Sequence, residues 1–134
     1  MSSRPEIILS SIDAERLDAL VASQPFFGRA DLEAELARAK VVEPQDVPAD
    51  VVTMNSTVKF SVEGSDEDIE LTLVYPKDVD ASGRTISILA PVGSALLGLS
   101  QGDAIDWPKP GGGQIRLTVK EVTFQPERSG TYHR

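Results

Sequence analysis

APVGSALLGLSQGDAID, residues 90–106, is the stretch along which the hydrophobic period of this chain changes twice. Before it, apolar and polar residues alternate, as expected for a half-buried strand. Val92, Leu96 and Leu99 then recur at helical spacing and predict a short helix that covers the sheet. Gly102 is expected to end this helix, after which the alternation of a strand resumes. The stretch therefore predicts a strand, a short helix and a second strand.

The turn that opens this helix is a candidate partner-binding site. It contains Ala90, Pro91, Val92, Gly93 and Ser94, most of which are small. Small residues at the point where a chain turns can leave backbone groups open to a partner. The Gly-x-Ser-x-Gly surroundings of a nucleophile elbow are missing around Ser94, so we expect this serine to cap the helix. Val92 also belongs to the apolar stripe that we assign to the core.

Three further segments alternate in the manner of strands. Residues 52–62 carry apolar side chains mainly at even positions, and residues 69–75 carry them at odd positions. The short polar turn between these two segments predicts an antiparallel hairpin. In residues 115–124 the apolar positions change from odd to even near Lys120 and Glu121. This change of parity predicts a bulge or bend at that point of the strand.

The N-terminal third of the chain predicts a helical hairpin. Residues 10–21 begin with a capping serine, and residues 31–40 are rich in strong helix formers. The short connection between them favours an antiparallel pair. Phe26, Phe27 and Asp31 lie at the tip of this hairpin and are candidate contacts with a partner. The alternative for the two phenylalanines is that they close the end of the helix pair as a hydrophobic plug.

The boundary between the two parts is predicted in a segment that contains two prolines and little apolar content. Residues 44–50 are this stiff linker. It separates a helical hairpin over residues 1–43 from a sheet domain over residues 51–134. The sequence therefore predicts an α+β protein, with a short antiparallel helical hairpin followed by an antiparallel β-sheet domain that carries one short helix.

The composition is typical of one globular protein with an acidic surface. The chain has 134 residues, of which 40% are hydrophobic, and a net charge of −8. This charge disfavours direct binding to nucleic acid or to anionic membranes and suits a basic protein partner, although it would also serve solubility. No segment resembles a membrane span or a secretory signal, so we expect a cytoplasmic protein.

No set of residues predicts catalysis, a metal site or a cofactor. The chain has no cysteine, and its one histidine, His133, is next to the last residue. Thiolate ligands are therefore excluded and a histidine-based site has no support. Gly111, Gly112 and Gly113 precede a strand instead of a helix, unlike the glycines of a phosphate-binding loop. We expect a protein that is not an enzyme and carries neither a cofactor nor a metal.

Four segments together resemble a known family. They are DAER at residues 13–16, DVVTMNS at residues 50–56, LVYP at residues 73–76 and APVG at residues 90–93. With these segments the chain resembles the Rnk family, regulators of nucleoside diphosphate kinase, over nearly its whole length. The broader relatives are the Gre transcript-cleavage factors, whose carboxy-terminal domain has an FKBP-like fold and is similar to the unit that contains APVG.

The resemblance implies a regulator that binds RNA polymerase near its secondary channel and influences the level of nucleoside diphosphate kinase. We expect the protein to be a monomer. The alternative is direct protein contact with that kinase or with another enzyme. In the Gre factors an Asp-Ser-Pro segment takes part in docking, and it falls here on Leu89, Ala90 and Pro91, of which only Pro91 matches. Gre factors also carry acids at the tip of a long coiled coil. Because this hairpin is short, the resemblance does not extend their cleavage activity to Asp31.

Overall fold

The N-terminal part of the molecule is a pair of helices flanked by two very short strands. The computed structural model describes residues 6–65 and 67–129. Strand β1 (Ile8–Ser10) pairs in parallel with strand β2 (Lys40–Val42). The amide of Ile8 donates to the carbonyl of Gly98 at 3.2 Å. This bond joins the small sheet to the C-terminal part of the chain. The elements are β1 (Ile8–Ser10), α1 (Ser11–Ser23), α2 (Arg29–Arg38) and β2 (Lys40–Val42).

Helix α1 begins at the serine that the sequence predicts as its cap. Ser10 has an extended backbone, and its hydroxyl oxygen accepts from the amide of Asp13 at 3.0 Å. Helix α2 follows Gly28, whose φ of +83° is in the left-handed region and favours glycine. No side chain caps α2. The predicted pair of N-terminal helices is therefore confirmed.

The C-terminal part is a five-stranded sheet with one short helix. Its strands are β3 (Thr57–Val62), β4 (Asp68–Val74), β5 (Thr85–Ser87), β6 (Ala104–Pro108) and β7 (Gln114–Phe124). Their order in the sheet is β5-β4-β3-β7-β6. The predicted α+β architecture is confirmed, with one difference: β4 and β5 pair in parallel, whereas every other neighbouring pair of this sheet is antiparallel. The loop of residues 75–84 turns the chain back before it enters β5.

The predicted irregularity in the last strand is confirmed. Lys59 lies opposite Glu121, whereas Phe60 lies opposite Val119, so Lys120 is left without a partner on β3. An extra residue on one strand reverses the face to which the following side chains point. For this reason Val119 and Val122 are both buried although their positions differ in parity.

The strand predicted over residues 52–62 begins only at Thr57. The preceding residues 52–56 form a buried turn, in which the hydroxyl of Ser56 accepts from the amide of Thr53 at 2.9 Å. Asn55 has a φ of +69°, which an asparagine tolerates better than most residues. The alternation in this segment thus reflects burial of a turn, which periodicity alone does not distinguish from a strand.

The short helix also ends earlier than the sequence predicts. Helix α3 (Pro91–Leu96) is followed by Gly98, which has a φ of +79°, so this glycine and not Gly102 supplies the left-handed residue after the helix. Leu99 is fully buried although it lies beyond the helix. The prediction of Gly102 was wrong because Leu99 was counted as helical, whereas it is buried beyond the end of the helix.

One hydrophobic core joins the two parts of the chain. Leu17 from α1 and Leu32 from α2 belong to the same cluster as Phe60 from β3 and Leu96 from α3, and all four are almost fully buried. Pro44, in the proposed linker, is also buried, at the start of the 3-10 turn Pro44–Asp46. The division into residues 1–43, 44–50 and 51–134 stays a prediction.

Candidate partner-binding site

The turn between β5 and α3 is held in place by its own hydrogen bonds. The hydroxyl of Ser94 donates to the carbonyl of Ile88 at 2.6 Å, and the amide of Ser94 donates to the carbonyl of Ala90 at 2.9 Å. The Ser87 carbonyl accepts from Ala90 at 3.0 Å, and the Ser87 hydroxyl accepts from the amide of Leu89 at 3.0 Å. Ser94 therefore does not cap the helix; Ala90 is the cap residue, without a side-chain bond.

The five residues predicted to bind a partner divide into two groups. Gly93 and Ser94 are buried, whereas Ala90, Pro91 and Val92 are partly exposed. Gly93 packs so closely on β5 that a side-chain carbon there would lie 2.1 Å from the carbonyl oxygen of Ser87. Only the first three residues can therefore offer side-chain surface to a partner.

The tip of the helical pair has one packed and one exposed phenylalanine. Phe26 packs against the core, as the plug interpretation requires, whereas the side chain of Phe27 is 48% exposed. Asp31 lies in the first turn of α2 and is partly exposed. A side-chain carbon at Gly28 would lie 3.8 Å from Nε1 of Trp107, so the tip is next to the end of β6. Partner contact by these residues stays a prediction.

A buried carboxylate joins α1 to the C-terminal part. Oδ2 of Asp13 accepts from the amide of Met54 at 3.2 Å, and the hydroxyl of Tyr75 donates to Oδ1 at 3.5 Å. Burial raises the pKa of Asp13 from its ordinary value to about 7, and the carboxylate of Glu127 adds to the increase. Burial likewise raises the pKa of Tyr75, with a further contribution from Asp13.

This carboxylate was not among the predicted site residues, although the sequence contains a signal for it. Asp13, Leu17 and Val21 recur at intervals of four, and these are the three buried residues of α1. An acid at this spacing lies on the apolar face of the helix. An acidic residue in the first turn of a helix usually lies near solvent, where it complements the helix dipole. The position of Asp13 in the first turn therefore does not by itself indicate that its carboxylate is buried.

An open groove lies next to Tyr75, whose hydroxyl donates to this carboxylate. It has a volume of about 640 Å³ and runs between α1 and the 3-10 turn Pro76–Asp78, with Arg16, Leu20, Tyr75 and Lys77 among its lining residues. Because β4 and β5 are parallel neighbours, their C-terminal ends lie at the same end of the sheet, and the segments that follow them leave the sheet there. The groove and the turn that opens α3 are therefore on the same end of the sheet.

The described residues show no preformed metal site. Within residues 6–65 and 67–129, no three histidine, aspartate or glutamate side chains are grouped so that they could hold a metal ion. None of the helices in the part of the chain that the structure describes has the length and apolar character needed to cross a membrane. His133 lies outside the described residues.

Two family models match successive parts of the chain. The model of the Rnk N-terminus matches residues 5–42, and the model described as transcription elongation factor, GreA/GreB, C-term matches residues 47–124. The regulator of nucleoside diphosphate kinase of Escherichia coli strain K12 is 48% identical over 133 residues, which cover 97% of this chain and 98% of that protein.

Two transcription elongation factors are also similar to this chain, one in sequence and one in a solved structure. Transcription elongation factor GreA of Thermoanaerobacter pseudethanolicus is 38% identical over 93 residues, covering 69% of this chain and 59% of that protein. A solved structure of a prokaryotic transcription elongation factor GreA/GreB from Nitrosomonas europaea superposes with a TM-score of 0.74 at 66% identity, covering 90% of this chain and 100% of that one. The chain therefore belongs to the Rnk family of regulators of nucleoside diphosphate kinase, in which an Rnk N-terminus precedes a GreA/GreB-type C-terminal domain.

Proposed function

We propose that the protein is a transcription regulator that binds RNA polymerase near the entrance of its secondary channel and does not cleave transcripts. The observation that carries the proposal is the match of residues 47–124 to the GreA/GreB C-terminal domain, because the turn at Ala90, Pro91 and Val92 lies inside that match. Binding of RNA polymerase is what the likeness to the Gre factors implies. Such a partner would place the protein in the cytoplasm.

The turn is well suited to form the contact. Its backbone is already fixed by the bonds of Ser87 and Ser94, so binding would cost little conformational entropy. The net charge of −8 would attract a basic protein surface at long range. We therefore expect binding that weakens as salt is added, because salt screens interactions between exposed charges.

The length of the helical pair supports the absence of cleavage. Helix α1 has 13 residues and α2 has 10 residues. At about 1.5 Å per residue these helices span roughly 20 Å and 15 Å, which is short for a probe that must pass along a channel. Asp31 is then too far from a polymerase active site to hold its magnesium ion. Addition of the protein to stalled transcription complexes should release no cleaved transcript, whereas a Gre factor tested in parallel should.

An arginine placed in the turn should weaken polymerase binding. Ala90→Arg adds a long cation to the partly exposed residue that precedes α3. If this surface contacts a basic rim, the affinity for core RNA polymerase should fall by at least about tenfold, because like charges oppose each other across an interface. The measurement is a titration of immobilised protein with core polymerase at low salt. A matched control is Ala34→Arg, which makes the same change on the exposed face of α2.

Two outcomes would contradict this proposal. The first is that the unaltered protein does not bind core polymerase at micromolar concentration in low salt. The second is that Ala90→Arg and Ala34→Arg bind equally well, which would leave polymerase as the partner and exclude the turn as the contact. Competition with a Gre factor for polymerase tests whether the two proteins share a surface.

The second candidate function is direct regulation of nucleoside diphosphate kinase by protein contact. The similar protein of Escherichia coli is named a regulator of that kinase, and the match extends over 98% of it. Adding the purified protein to purified kinase separates the candidates. A changed kinase rate would favour direct contact, whereas an unchanged rate together with polymerase binding would favour an effect on kinase level through transcription.

A further inference from the structure

Helix α1 has two faces with different surroundings. One face is buried in the core and carries Leu17 and Val21. The other carries Arg16, Ala19 and Leu20, at the spacing of three and four residues that places side chains next to one another on a helix. These three residues line one wall of the open groove next to Tyr75. Because Arg16 and Ala19 are exposed and Leu20 is partly exposed, this second face can be reached from solvent.

The opposite wall of the groove is a short turn with a fixed backbone. It consists of Tyr75 and the 3-10 turn Pro76–Asp78. The amide of Asp78 donates to the carbonyl of Tyr75 at 2.9 Å, and the ring of Pro76 restricts the first position of the turn. Lys77 lies at the centre of the turn and is exposed. This wall is therefore formed before any partner binds, which lowers the entropic cost of binding.

Arg16 is held at the groove by a chain of hydrogen bonds. Its side chain bonds to the hydroxyl of Tyr75, and this hydroxyl donates to Oδ1 of Asp13 at 3.5 Å. Asp13 is only 3% exposed. A guanidinium has five N–H donors, so one bond to a hydroxyl is compatible with binding a carboxylate as well. The segments DAER at residues 13–16 and LVYP at residues 73–76 thus meet here and place a cation at the groove.

The charge of the groove is opposite to that of the whole protein. The chain has 21 acidic and 13 basic residues. The residues that line the groove include two cations, Arg16 and Lys77, and one acid, Asp78. Leu20 and Pro76 add apolar surface to the two walls. Since binding partners present charges that complement each other, the groove fits an acidic ligand that also carries an apolar group.

The shape of the groove favours a protein segment over a small molecule. Its wall on the side of α1 extends from Arg16 to Gln24. At about 1.5 Å per residue this wall is roughly 12 Å long. An extended segment of three or four residues has the same length, at about 3.3 Å per residue. The groove is open to solvent, whereas a small-molecule site usually encloses most of its ligand.

We propose that this groove binds a short, extended, acidic segment of a partner protein. Carboxylates of the segment pair with Arg16 and Lys77, and an apolar side chain of the segment packs on Leu20 and Pro76. The site is distinct from the turn at residues 90–92, and its occupation does not require RNA polymerase.

A blocked hexapeptide in which glutamate and leucine alternate is a suitable probe. When it is titrated into the isotope-labelled full chain at low salt, the backbone NMR signals of residues 16–24 and 75–78 should shift and reach saturation. A second peptide with glutamine in place of glutamate keeps the length and the leucines but removes the charge. It should bind at least about tenfold more weakly. Added salt should weaken binding of the glutamate peptide, because it screens exposed charges.

Two matched pairs of variants test the charge and the space of the groove. Lys77→Glu should weaken binding of the glutamate peptide at least about fivefold, because an attraction becomes a repulsion. Lys120→Glu makes the same change of net charge at an exposed residue of β7 and should have little effect. Ala19→Gln fills part of the groove and should weaken binding by a similar factor. Ala22→Gln changes another exposed alanine of α1, outside the groove lining, and should not.

Saturable shifts at the groove that only Lys77→Glu and Ala19→Gln weaken would support the proposal. It would be overturned if no saturable shift occurs at millimolar peptide, or if the glutamine peptide binds equally well. Equal losses in Lys77→Glu and Lys120→Glu would mean that net charge alone attracts the peptide, which also contradicts the proposal. Inorganic phosphate that binds at the same residues as tightly as the peptide would make the groove a site for small anions instead. All four substitutions are at exposed positions, and the backbone spectrum of each variant shows whether it is folded.

Discussion

Gly93→Ala should lower the free energy of unfolding by at least about 3 kcal/mol. Alanine normally stabilises a helix relative to glycine by about 1 kcal/mol, so the expected effect has the opposite sign to the intrinsic preference. The reason is contact with backbone: the new carbon would lie 2.1 Å from the carbonyl oxygen of Ser87 and 3.0 Å from its carbon. That carbonyl accepts from Ala90 and cannot move without disturbing the turn.

Urea denaturation followed by circular dichroism measures this effect. Gly64→Ala is a suitable control, because Gly64 has a φ of +92° and nothing lies within 4 Å of its added carbon. This control should lose only the cost of the left-handed backbone, on the order of 1–2 kcal/mol. If Gly93→Ala is as stable as Gly64→Ala or more so, then α3 can move away from β5 and the close contact does not restrain the turn.

Gly98→Ala should lower the free energy of unfolding by about 3 kcal/mol or more, for two reasons that add. The first is the φ of +79°, which costs a residue with a side chain on the order of 1–2 kcal/mol. The second is space, because the new carbon would lie 2.6 Å from Cβ of Ile7. Ile7 is fully buried, and its carbonyl accepts from the amide of Lys40 at 2.9 Å, so it has little freedom to yield.

Gly102→Ala separates the two contributions. Gly102 has a φ of +92° and no atom within 4 Å of an added carbon, so this variant should lose the backbone term alone. The difference between the two variants in chemical denaturation should be at least about 1 kcal/mol, the lower end of overpacking costs. Equal losses would mean that the segment containing Ile7 separates easily from the segment that follows α3, contrary to the packing described here.

The sequence determined the local elements well because their signals are contained within a few residues. The serine cap of α1, the pair of N-terminal helices and the change of parity around Lys120 were all predicted from short patterns and are all present. Family membership also follows from the sequence, since short segments spread over the chain carry the resemblance. The end of α3 was less well determined, because Leu99 continues the helical spacing of apolar residues although it lies beyond the helix, and this spacing favoured Gly102 over Gly98.

Tertiary structure decided which residues of the predicted binding turn are accessible to a partner and which side chains contact Asp13. Gly93 and Ser94 are buried because they pack on β5, and α1 presents Asp13 to Met54 and Tyr75, which are 41 and 62 residues away in the chain. The sequence by itself therefore determined most of the helices and strands, the acidic net charge and the family. Only the fold reduced the partner-binding turn to three surface residues and raised the pKa of Asp13, because burial and desolvation arise from contacts between distant segments.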